Sequence, residues 1–305
     1  MKYLEIGGEL HAPRIAAGCM RIADLSTEQA LSWIHNALDA GVNYFDHADI
    51  YGHGGGAEER FGLSLQREPG LRCKLILQTK CGICRTYYDF SKEHIIRSAE
   101  ESLKRLGTDY LDVMLLHRPD TLVEPEEVAE AFEALHTSGK VRYFGVSNHT
   151  PMQIELLKKY VRQPLIINQL QMSLVHTGMI DAGINMNTCF DEACDRDGSV
   201  LDYCRLHDIT IQPWSPFQHG FIEGVFLLDQ RFEKLNKEVA QMAEKYKVSS
   251  SAMVIAWLLR HPAEVQPVIG TTNPARFADI CTATQIELTR QDWYALYRAA
   301  GNRLP

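Results

Sequence analysis

Eight short apolar segments, alternating with amphipathic helical patterns, constrain the fold of this chain more than any other feature. The segments are RIAAGC at 14–19, VNYF at 42–45, KLILQTK at 74–80, YLDVMLLH at 110–117, KVRYFGV at 140–146, PLIIN at 164–168, DITIQPW at 208–214 and VQPVIG at 265–270. Strands this continuously apolar are typical of a parallel sheet whose faces are both covered. The repeated strand–helix order predicts an α/β fold, a (β/α)8 TIM barrel.

Helix-capping residues support the same architecture. Ser26 and Gln29 occupy capping-box positions before an apolar periodicity, and Gly41 stands where a C-terminal cap belongs. In the second helical segment, Ser91 is placed as the N-terminal cap and Gly107 as the C-terminal cap. We expect in addition a short N-terminal β-hairpin, with extra helices after strand 7 and at the C-terminus. No linker or low-complexity tract interrupts the chain, so residues 1–305 are predicted to form a single domain.

Composition narrows the classes of protein that fit this fold. A hydrophobic content of 45% and a charged content of 23% are those of an ordinary soluble globular protein. The net charge of -8 argues against nucleic acid as the main partner. No segment is apolar enough to span a membrane, and the first residues lack the apolar core of a signal peptide. We therefore expect a cytoplasmic protein with no membrane partner.

The eight cysteines are scattered, which favours reduced thiols over a disulfide framework. Cys81 and Cys84 form a CxxC sequence, for which a redox or metal-binding role is one interpretation. A zinc site would need two further ligands, and Cys189 and Cys194 have the wrong spacing to supply them. We favour the interpretation that Cys81 and Cys84 are incidental thiols at a strand end, and no metal site is predicted.

Polar side chains end most of the predicted strands. Because active sites of such barrels lie at the C-terminal ends of the strands, these residues are candidates for chemistry. Strands 2 to 7 end, in order, in Asp46, Lys80, His117, Ser147 with Asn148, Asn168 with Gln169, and Trp214 with Ser215. The same placement on six successive strands predicts a functional site at this end of the barrel.

Three of these side chains, together with Tyr51 from the loop after strand 2, could form a proton-transfer device. Neighbouring strands lie about 4.8 Å apart, so Lys80 is expected beside the carboxylate of Asp46 and below the loop that carries Tyr51. The ammonium group should lower the pKa of the phenol from about 10, and Asp46 should keep the lysine charged. His117 could orient an acceptor oxygen or share the proton. A structural ion-pair network is the alternative interpretation of this group.

Delivery of a proton to an oxygen that gains negative charge is what carbonyl reduction by hydride requires. No side chain supplies hydride, so this chemistry requires a nicotinamide cofactor. Ser147, Asn148 and Gln169 are suitable partners for its carboxamide. Trp214 offers a flat face on which the ring could stack.

Seven short strings, in this order, closely resemble the aldo-keto reductases, and particularly the bacterial YdhF-type oxidoreductases. They are FDHADIYG, QTK, LLHRPD, FGVSN, NQ, PWSPF and PVIGTTNPARF. The resemblance implies a (β/α)8 fold and NADPH-dependent reduction of an aldehyde or ketone as small-molecule substrate. It also implies a catalytic tetrad of Asp46, Tyr51, Lys80 and His117, in which Tyr51 is the proton donor.

The resemblance further implies where NADPH or NADP+ is bound. Ser147, Asn148, Gln169 and Trp214 would hold the nicotinamide, and the Ser215 region would contact the pyrophosphate. The segment GTTNPARF at 270–277 resembles the part that binds the adenosine 2'-phosphate. It contributes Gly270, Thr271, Thr272 and Arg276, with Asp279 at the adenine edge.

Three positions depart from the family pattern. His47 stands where Thr or Ser is frequent, and Trp214 stands where Tyr is frequent. Asp279 and Ile280 replace Glu and Asn at the adenine edge.

Several alternatives remain open from the sequence. His47, Asp49 and His53 could suggest a metal site, and the glycines from 52 to 56 invite comparison with a dinucleotide-binding loop, although a turn before the helix AEERFGLSL fits better. Tyr87, Tyr88 and Arg118 could line a substrate pocket or cover the barrel rim. The long segments 171–198 and 216–231 are expected to act as substrate lids. A nicotinamide-sensing or partner-regulating subunit on the same fold is the alternative to an enzyme.

Overall fold

A nearly closed barrel of eight parallel strands forms the centre of the molecule. The computed structural model describes residues 1–305. The strands are β1 (Tyr3–Ile6), β2 (Leu10–Pro13), β3 (Ala16–Gly18), β4 (Tyr44–Asp46), β5 (Ile76–Cys81), β6 (Leu111–Leu116), β7 (Val141–Ser147), β8 (Leu165–Gln171), β9 (Thr210–Trp214), β10 (Gln218–His219), β11 (Gly224–Val225) and β12 (Val268–Ile269). The order around the barrel is β12-β3-β4-β5-β6-β7-β8-β9, which confirms the predicted (β/α)8 fold.

Helices follow the strands and surround the barrel. They are α1 (Thr27–Asp39), α2 (Tyr51–Arg67), α3 (Lys92–Leu106), α4 (Pro125–Thr137), α5 (Pro151–Lys158), α6 (Gly178–Ile184), α7 (Val200–Leu206), α8 (Glu233–Tyr246), α9 (Ser250–Leu259), α10 (Pro274–Cys281) and α11 (Arg290–Ala299). The capping box of Ser26 and Gln29 is present. Two helices, α8 and α9, follow β9 where the basic repeat needs one, and α11 follows at the C-terminus, so extra helices occur at both predicted places.

The N-terminal hairpin of β1 and β2 packs against the N-terminal ends of the barrel strands. Leu4 and Ile6 share a buried cluster with Val113 and Ile166 from two of those strands. Gly7 at the turn has φ +56°, and a Cβ there would lie 2.4 Å from the Cβ of Ile166. The turn therefore needs glycine for both conformation and close approach. With this end of the barrel covered, the opposite end is the open one.

The seam between β9 and β12 explains why the barrel is not completely closed. The N–H of Gln266 donates to the carbonyl oxygen of Ile211 at 3.0 Å. The next bond of a parallel ladder would come from the N–H of residue 213, which is proline and has none. The predicted eighth strand at 265–270 is correspondingly short, because only Val268–Ile269 pair with β3.

Packing of the helices onto the outside of the barrel produces the main hydrophobic core. This core contains 66 buried residues, among them Trp33 of α1, Phe45 of β4 and Phe132 of α4. The rings of Phe132 and Phe144 stack at 4.0 Å between centroids, which ties α4 to β7. None of the helices has the length and apolar character that crossing a membrane requires.

Candidate active site

A single large cleft lies over the C-terminal ends of the strands. Its volume is about 1260 Å³, which exceeds the roughly 300–1,000 Å³ of sites for drug-sized ligands. The four residues predicted to be catalytic lie at this cleft, with Asp46, Tyr51 and His117 in its wall and Lys80 buried just below. The cleft has room for a cofactor together with a small substrate.

Lys80 links the carboxylate of Asp46 to the phenol of Tyr51. Its Nζ lies 2.8 and 2.9 Å from the two carboxylate oxygens of Asp46 and donates to the Tyr51 hydroxyl oxygen at 3.3 Å. A third donation, of 2.7 Å, reaches the backbone carbonyl of His47. All three hydrogens of the ammonium group thus have acceptors. The contacts require adjacent strand ends, since Asp46 ends β4 and Lys80 lies near the end of β5.

The charge states of these groups follow from burial and from their mutual contacts. Burial lowers the pKa of Lys80, but the contacts with Asp46 and Tyr51 raise it by more than burial lowers it. The net pKa therefore lies above the usual value for lysine. Burial raises the pKa of Tyr51, and the nearby Lys80 offsets only part of that rise. The expectation that the ammonium would lower the phenol pKa below its usual value was therefore wrong. Desolvation outweighs the charge, so Tyr51 keeps its proton at neutral pH.

His117 faces Tyr51 across the floor of the cleft. The two rings are perpendicular with centroids 6.0 Å apart, and Nδ1 of His117 is buried without a hydrogen-bond partner. Burial, with the charges of Lys80 and Arg118, lowers the pKa of His117 well below its usual value. The imidazole is therefore neutral and carries one N–H. It can donate a hydrogen bond to a bound oxygen but cannot act as a cation there.

A left-handed turn directly follows Tyr51 and interrupts the first residues of α2. The four residues from Gly52 to Gly55 all have positive φ, including His53 at 63°. A Cβ on Gly55 would lie 2.5 Å from Nε of Arg105, and one on Gly52 would lie 2.6 Å from the Cβ of Ala23. Regular helix follows immediately. The glycine run is thus the turn that the sequence suggested, in which Gly52 and Gly55 are required by both φ and space and Gly54 by φ alone.

A second buried cluster, formed by His47, Asp49, Glu58 and Arg105, lies behind this turn. Neither ring nitrogen of His47 has a partner, its ring packs 4.7 Å from that of Phe61, and burial followed by Lys80 lowers its pKa to about 3. Arg105 pairs with Glu58 at 2.7 Å. Burial and then Glu58 raise the pKa of Asp49 to about 7. Although His47, Asp49 and Glu58 are all in this cluster, their side chains are not placed so that three of them could bind one metal ion.

The residues predicted to hold the nicotinamide also lie in the cleft wall. Nε1 of Trp214 donates to Oδ1 of Asn148 at 3.1 Å, and Nδ2 of Asn148 donates to Oγ of Ser147 at 2.8 Å. Nε2 of Gln169 donates to Asp46 at 3.1 Å, which leaves its oxygen as the free end of the amide. Trp214, Asn148 and Ser147 therefore form one chain of hydrogen bonds, which continues from Oγ of Ser147 to the backbone carbonyl of Gln169 at 2.9 Å.

The far end of the cleft contains most of the residues predicted for the phosphates. Those that line it are Ser215, Gly270, Thr271, Thr272 and Arg276. Arg276 lies in the first turn of α10, and its guanidinium has no protein partner. The carboxylate of Asp279 does not line the cleft but accepts a hydrogen bond from Ser249, whereas Ile280 does line it. Asp279 was predicted to lie at the adenine edge, but the next residue, Ile280, faces the cleft instead. Helix α10 points Asp279 toward Ser249 at the start of α9.

Comparisons with known proteins agree with this geometry. The Aldo/keto reductase family matches residues 14–300. The chain belongs to this family. It is 38% identical to Oxidoreductase YdhF of Escherichia coli K12 over 94% of this chain and 93% of the relative, which confirms the YdhF-type resemblance. It is 34% identical to a 6-dehydroglucose reductase of Agrobacterium fabrum C58, over 98% of each chain.

Solved aldo/keto reductases share the fold. A Klebsiella pneumoniae aldo/keto reductase in complex with NADP and acetate matches with a TM-score of 0.77 and 24% identity, covering 100% of this chain and 97% of that one. A second structure from the same organism, in complex with NADPH, matches with a TM-score of 0.79 and 24% identity, covering 100% and 96%. At this identity the match concerns the fold.

In this aldo/keto reductase, sequence reasoning missed a set of glutamines inside the barrel. Nε2 of Gln78 donates to Asp46 and, at 2.9 Å, to Oε1 of Gln212, which also accepts from Gln169 at 2.9 Å. Gln212 in turn donates to Gln266 at 2.7 Å. Gln78 lies two positions before Lys80, so alternation along a strand points both side chains inward. That spacing was the available signal.

The serines 249 to 251, which line the cleft at the start of α9, were also missed. Ser249 caps α9 by accepting from the N–H of Ala252. The available signal was three cap-type residues directly before an apolar helical run.

Only one of the two predicted lids reaches the cleft. From 216–231, the lining residues are Pro216, Phe217, Gln218, Phe221, Ile222, Val225, Leu227 and Leu228. No residue of 171–198 lines it, so that part of the prediction was wrong. This segment contains α6, and Gln171 and Ser173 donate to the carbonyls of Gly220 and Gln218. It supports the lid rather than forming one.

Of the residues after β5 and β6 that could line a substrate pocket, only one reaches the cleft. Arg118 lines the cleft, whereas Tyr87 and Tyr88 are exposed and do not. Cys81 is buried and Cys84 half-buried, and both thiols are free. Burial raises the pKa of each of these thiols, which disfavours the reactive thiolate.

Proposed function

We propose that this protein is an NADPH-dependent reductase that converts an aldehyde or ketone to the alcohol, with Tyr51 as proton donor. The observation that carries the proposal is the buried ammonium of Lys80 held between Asp46 and the Tyr51 hydroxyl at the floor of the cleft. A fully buried lysine with three acceptors is suited to fixing one phenol in place. The overall reaction consumes the carbonyl compound, NADPH and one proton.

The residues would divide the work of proton delivery. Because Lys80 donates to the Tyr51 oxygen, the hydroxyl hydrogen of Tyr51 is free to point into the cleft. As negative charge develops on the substrate oxygen, Tyr51 would transfer its proton and Lys80 would stabilise the phenolate left behind. The neutral N–H of His117 would donate to the same oxygen and fix its direction. Asp46 would keep the lysine charged throughout.

The residues present fit a nicotinamide dinucleotide. The free amide oxygen of Gln169, with Asn148 and Ser147, suits a carboxamide that both donates and accepts. When bound, NADPH supplies the hydride. Arg276, unpaired at the start of α10, suits a 2'-phosphate because a guanidinium binds phosphate through two parallel hydrogen bonds. The NADP and NADPH complexes of the Klebsiella relatives support this choice of cofactor.

The test compares wild type with Tyr51→Phe. Oxidation of NADPH is followed with a panel of aldehydes and ketones, and NADPH binding is followed by quenching of tryptophan fluorescence, since Trp214 lines the cleft. Tyr51→Phe should lower kcat by about 10²–10⁴-fold, the usual contribution of a general acid, while the Kd for NADPH changes little.

Turnover retained in Tyr51→Phe would contradict the role of Tyr51. A wild-type protein that binds NADPH tightly but reduces nothing on the panel would contradict the enzyme and favour a nicotinamide sensor.

A further inference from the structure

We propose that Arg118 makes this enzyme selective for carbonyl substrates that carry a carboxylate. The inference rests on the proposed function and adds the class of substrate. It comes from three features of the cleft, namely the place of Arg118, its lack of a carboxylate partner and the distribution of charge in the lining.

Arg118 lies at the catalytic end of the cleft. It directly follows His117 after β6 and lines the same wall. Its guanidinium carbon lies 5.9 Å from the ring centroid of Trp214 and 5.5 Å from that of Phe221 on the lid. Contacts with two aromatic rings hold the guanidinium in place without using its N–H donors. A substrate oxygen near His117 and Tyr51 would therefore have this cation as a neighbour.

Arg118 is half-buried, yet it has no ion-pair or hydrogen-bond partner in the protein. Other half-buried arginines are paired, as Arg72 is with Asp112 at 2.9 Å and Arg105 with Glu58 at 2.7 Å. The N–H donors of Arg118 face the open cleft with no acceptor from the protein, so a bound ligand can supply one. The five N–H donors of Arg118 are therefore available to a bound anion.

The cleft is positively charged although the chain as a whole has a net charge of -8. Asp46 is its only acidic lining residue, and Lys80 already neutralises it. The cationic lining residues are Arg21, Arg118 and Arg276. Arg21 donates to the carbonyl of Gly270 at 2.9 Å, at the phosphate end of the cleft, and Arg276 is the proposed 2'-phosphate ligand. Only Arg118 remains for the substrate.

A carboxylate is the anion that this environment favours. Its two oxygens match the planar donor edge of a guanidinium, so the pair can form two parallel hydrogen bonds. Trp214 and Phe221 supply apolar surface beside the charge, which suits an aromatic or similarly flat substrate body. We expect the carboxylate to improve kcat/KM by about tenfold or more over a neutral analogue, as one charge-assisted pair would give.

The test uses two aldehydes that differ in this charge and one methyl group, 4-formylbenzoate and methyl 4-formylbenzoate. Wild type should prefer the carboxylate, and Arg118→Met should lower the ratio of the two kcat/KM values at least tenfold. Arg118→Lys, which keeps the charge but not the planar fork, should fall between them. Arg162→Met, at an exposed arginine outside the cleft, is the matched control and should leave the ratio unchanged.

A binding measurement separates this inference from the proposed reaction. Terephthalate, which has no aldehyde, is titrated into the protein with NADP+ and followed by tryptophan fluorescence. Weaker binding by Arg118→Met supports the inference even if neither aldehyde is reduced, a result that would contradict only the proposed function. Equal binding by both proteins, or a wild type that reduces the ester as well as the carboxylate, would overturn the role of Arg118.

Discussion

Lys80 Nζ lies 3.3 Å from the hydroxyl oxygen of Tyr51 and 2.8 Å from the carboxylate of Asp46 on its other side. The lysine is fully buried, so its charge depends on Asp46 for compensation. Its effect on Tyr51 is to limit the rise in pKa that burial causes, since the net shift of the phenol remains upward. In the proposed reaction, Lys80 therefore matters most once the phenol has given up its proton.

Removal of this ammonium should affect stability and catalysis separately. Lys80→Met leaves Asp46 as a buried carboxylate with only amide donors, and we expect a loss of about 3–5 kcal/mol in the free energy of unfolding. The double variant Lys80→Met with Asp46→Asn removes that unpaired charge and should recover part of the stability, but not the carbonyl reductase activity. Urea unfolding and steady-state kinetics measure the two effects. Activity recovered in the double variant would contradict the role of Lys80.

The preference for NADPH over NADH should depend on Arg276. Its guanidinium has no protein partner, so Arg276→Ala should leave the fold intact and weaken NADPH binding about tenfold or more, with little change for NADH. Fluorescence titration of both dinucleotides measures this, with Arg290→Ala outside the cleft as control. An equal loss for both cofactors would remove the basis for the proposed preference.

Stability should depend on pH through Asp49. Burial and then Glu58 raise the pKa of this carboxyl to about 7, although the charges of Arg105 and Lys80 lower it. In the unfolded chain the pKa is about 3.9, so between these values only the unfolded state releases the proton. The folded state therefore loses stability as the pH rises toward 7. Relative to Asp49→Asn, wild type should lose roughly 2–3 kcal/mol between pH 5 and pH 8.

Urea unfolding at the two pH values gives this difference, and Asp39→Asn, at an exposed carboxylate of α1, is the control. A wild type and an Asp49→Asn variant whose stabilities change in parallel with pH would show that Asp49 ionises normally.

The glutamines inside the barrel should hold in place the amide of Gln169, the proposed ligand of the nicotinamide carboxamide. Gln212→Leu removes the oxygen that accepts from both Gln78 and Gln169, leaving two buried donors short of an acceptor. We expect a loss of about 2–6 kcal/mol in unfolding free energy, from about 1–3 kcal/mol for each of the two unsatisfied groups, and weaker NADPH binding. Gln66→Leu, at an exposed position of α2, is the control. NADPH binding unaltered in Gln212→Leu would show that Gln169 keeps its orientation without this contact.

Local patterns were sufficient where a residue's role depends on its place in one element. Apolar runs and caps located the strands and helices, and strand ends located Asp46, Lys80 and His117, because parallel strands all end at the same side of a barrel. The lid at 216–231 could be expected from length alone, but the same reasoning failed for 171–198. Length does not show that Gln171 and Ser173 turn toward the lid backbone instead of the cleft.

The sequence by itself determined the barrel, the family, the proposed proton donor and the three residues around it, since each depends on periodicity and order along the chain. Only the tertiary structure decided the charge states of the site residues and which side chains form hydrogen bonds or ion pairs with one another. Burial cannot be read from a local sequence pattern. It raises the pKa of Tyr51 by more than the charge of Lys80 lowers it, and it keeps His117 neutral. The contact of Gln78 with Gln212 and the absence of a partner for Arg118 likewise arise between strands and loops far apart in the chain. Such relationships are set by three-dimensional packing, where desolvation and distance act together.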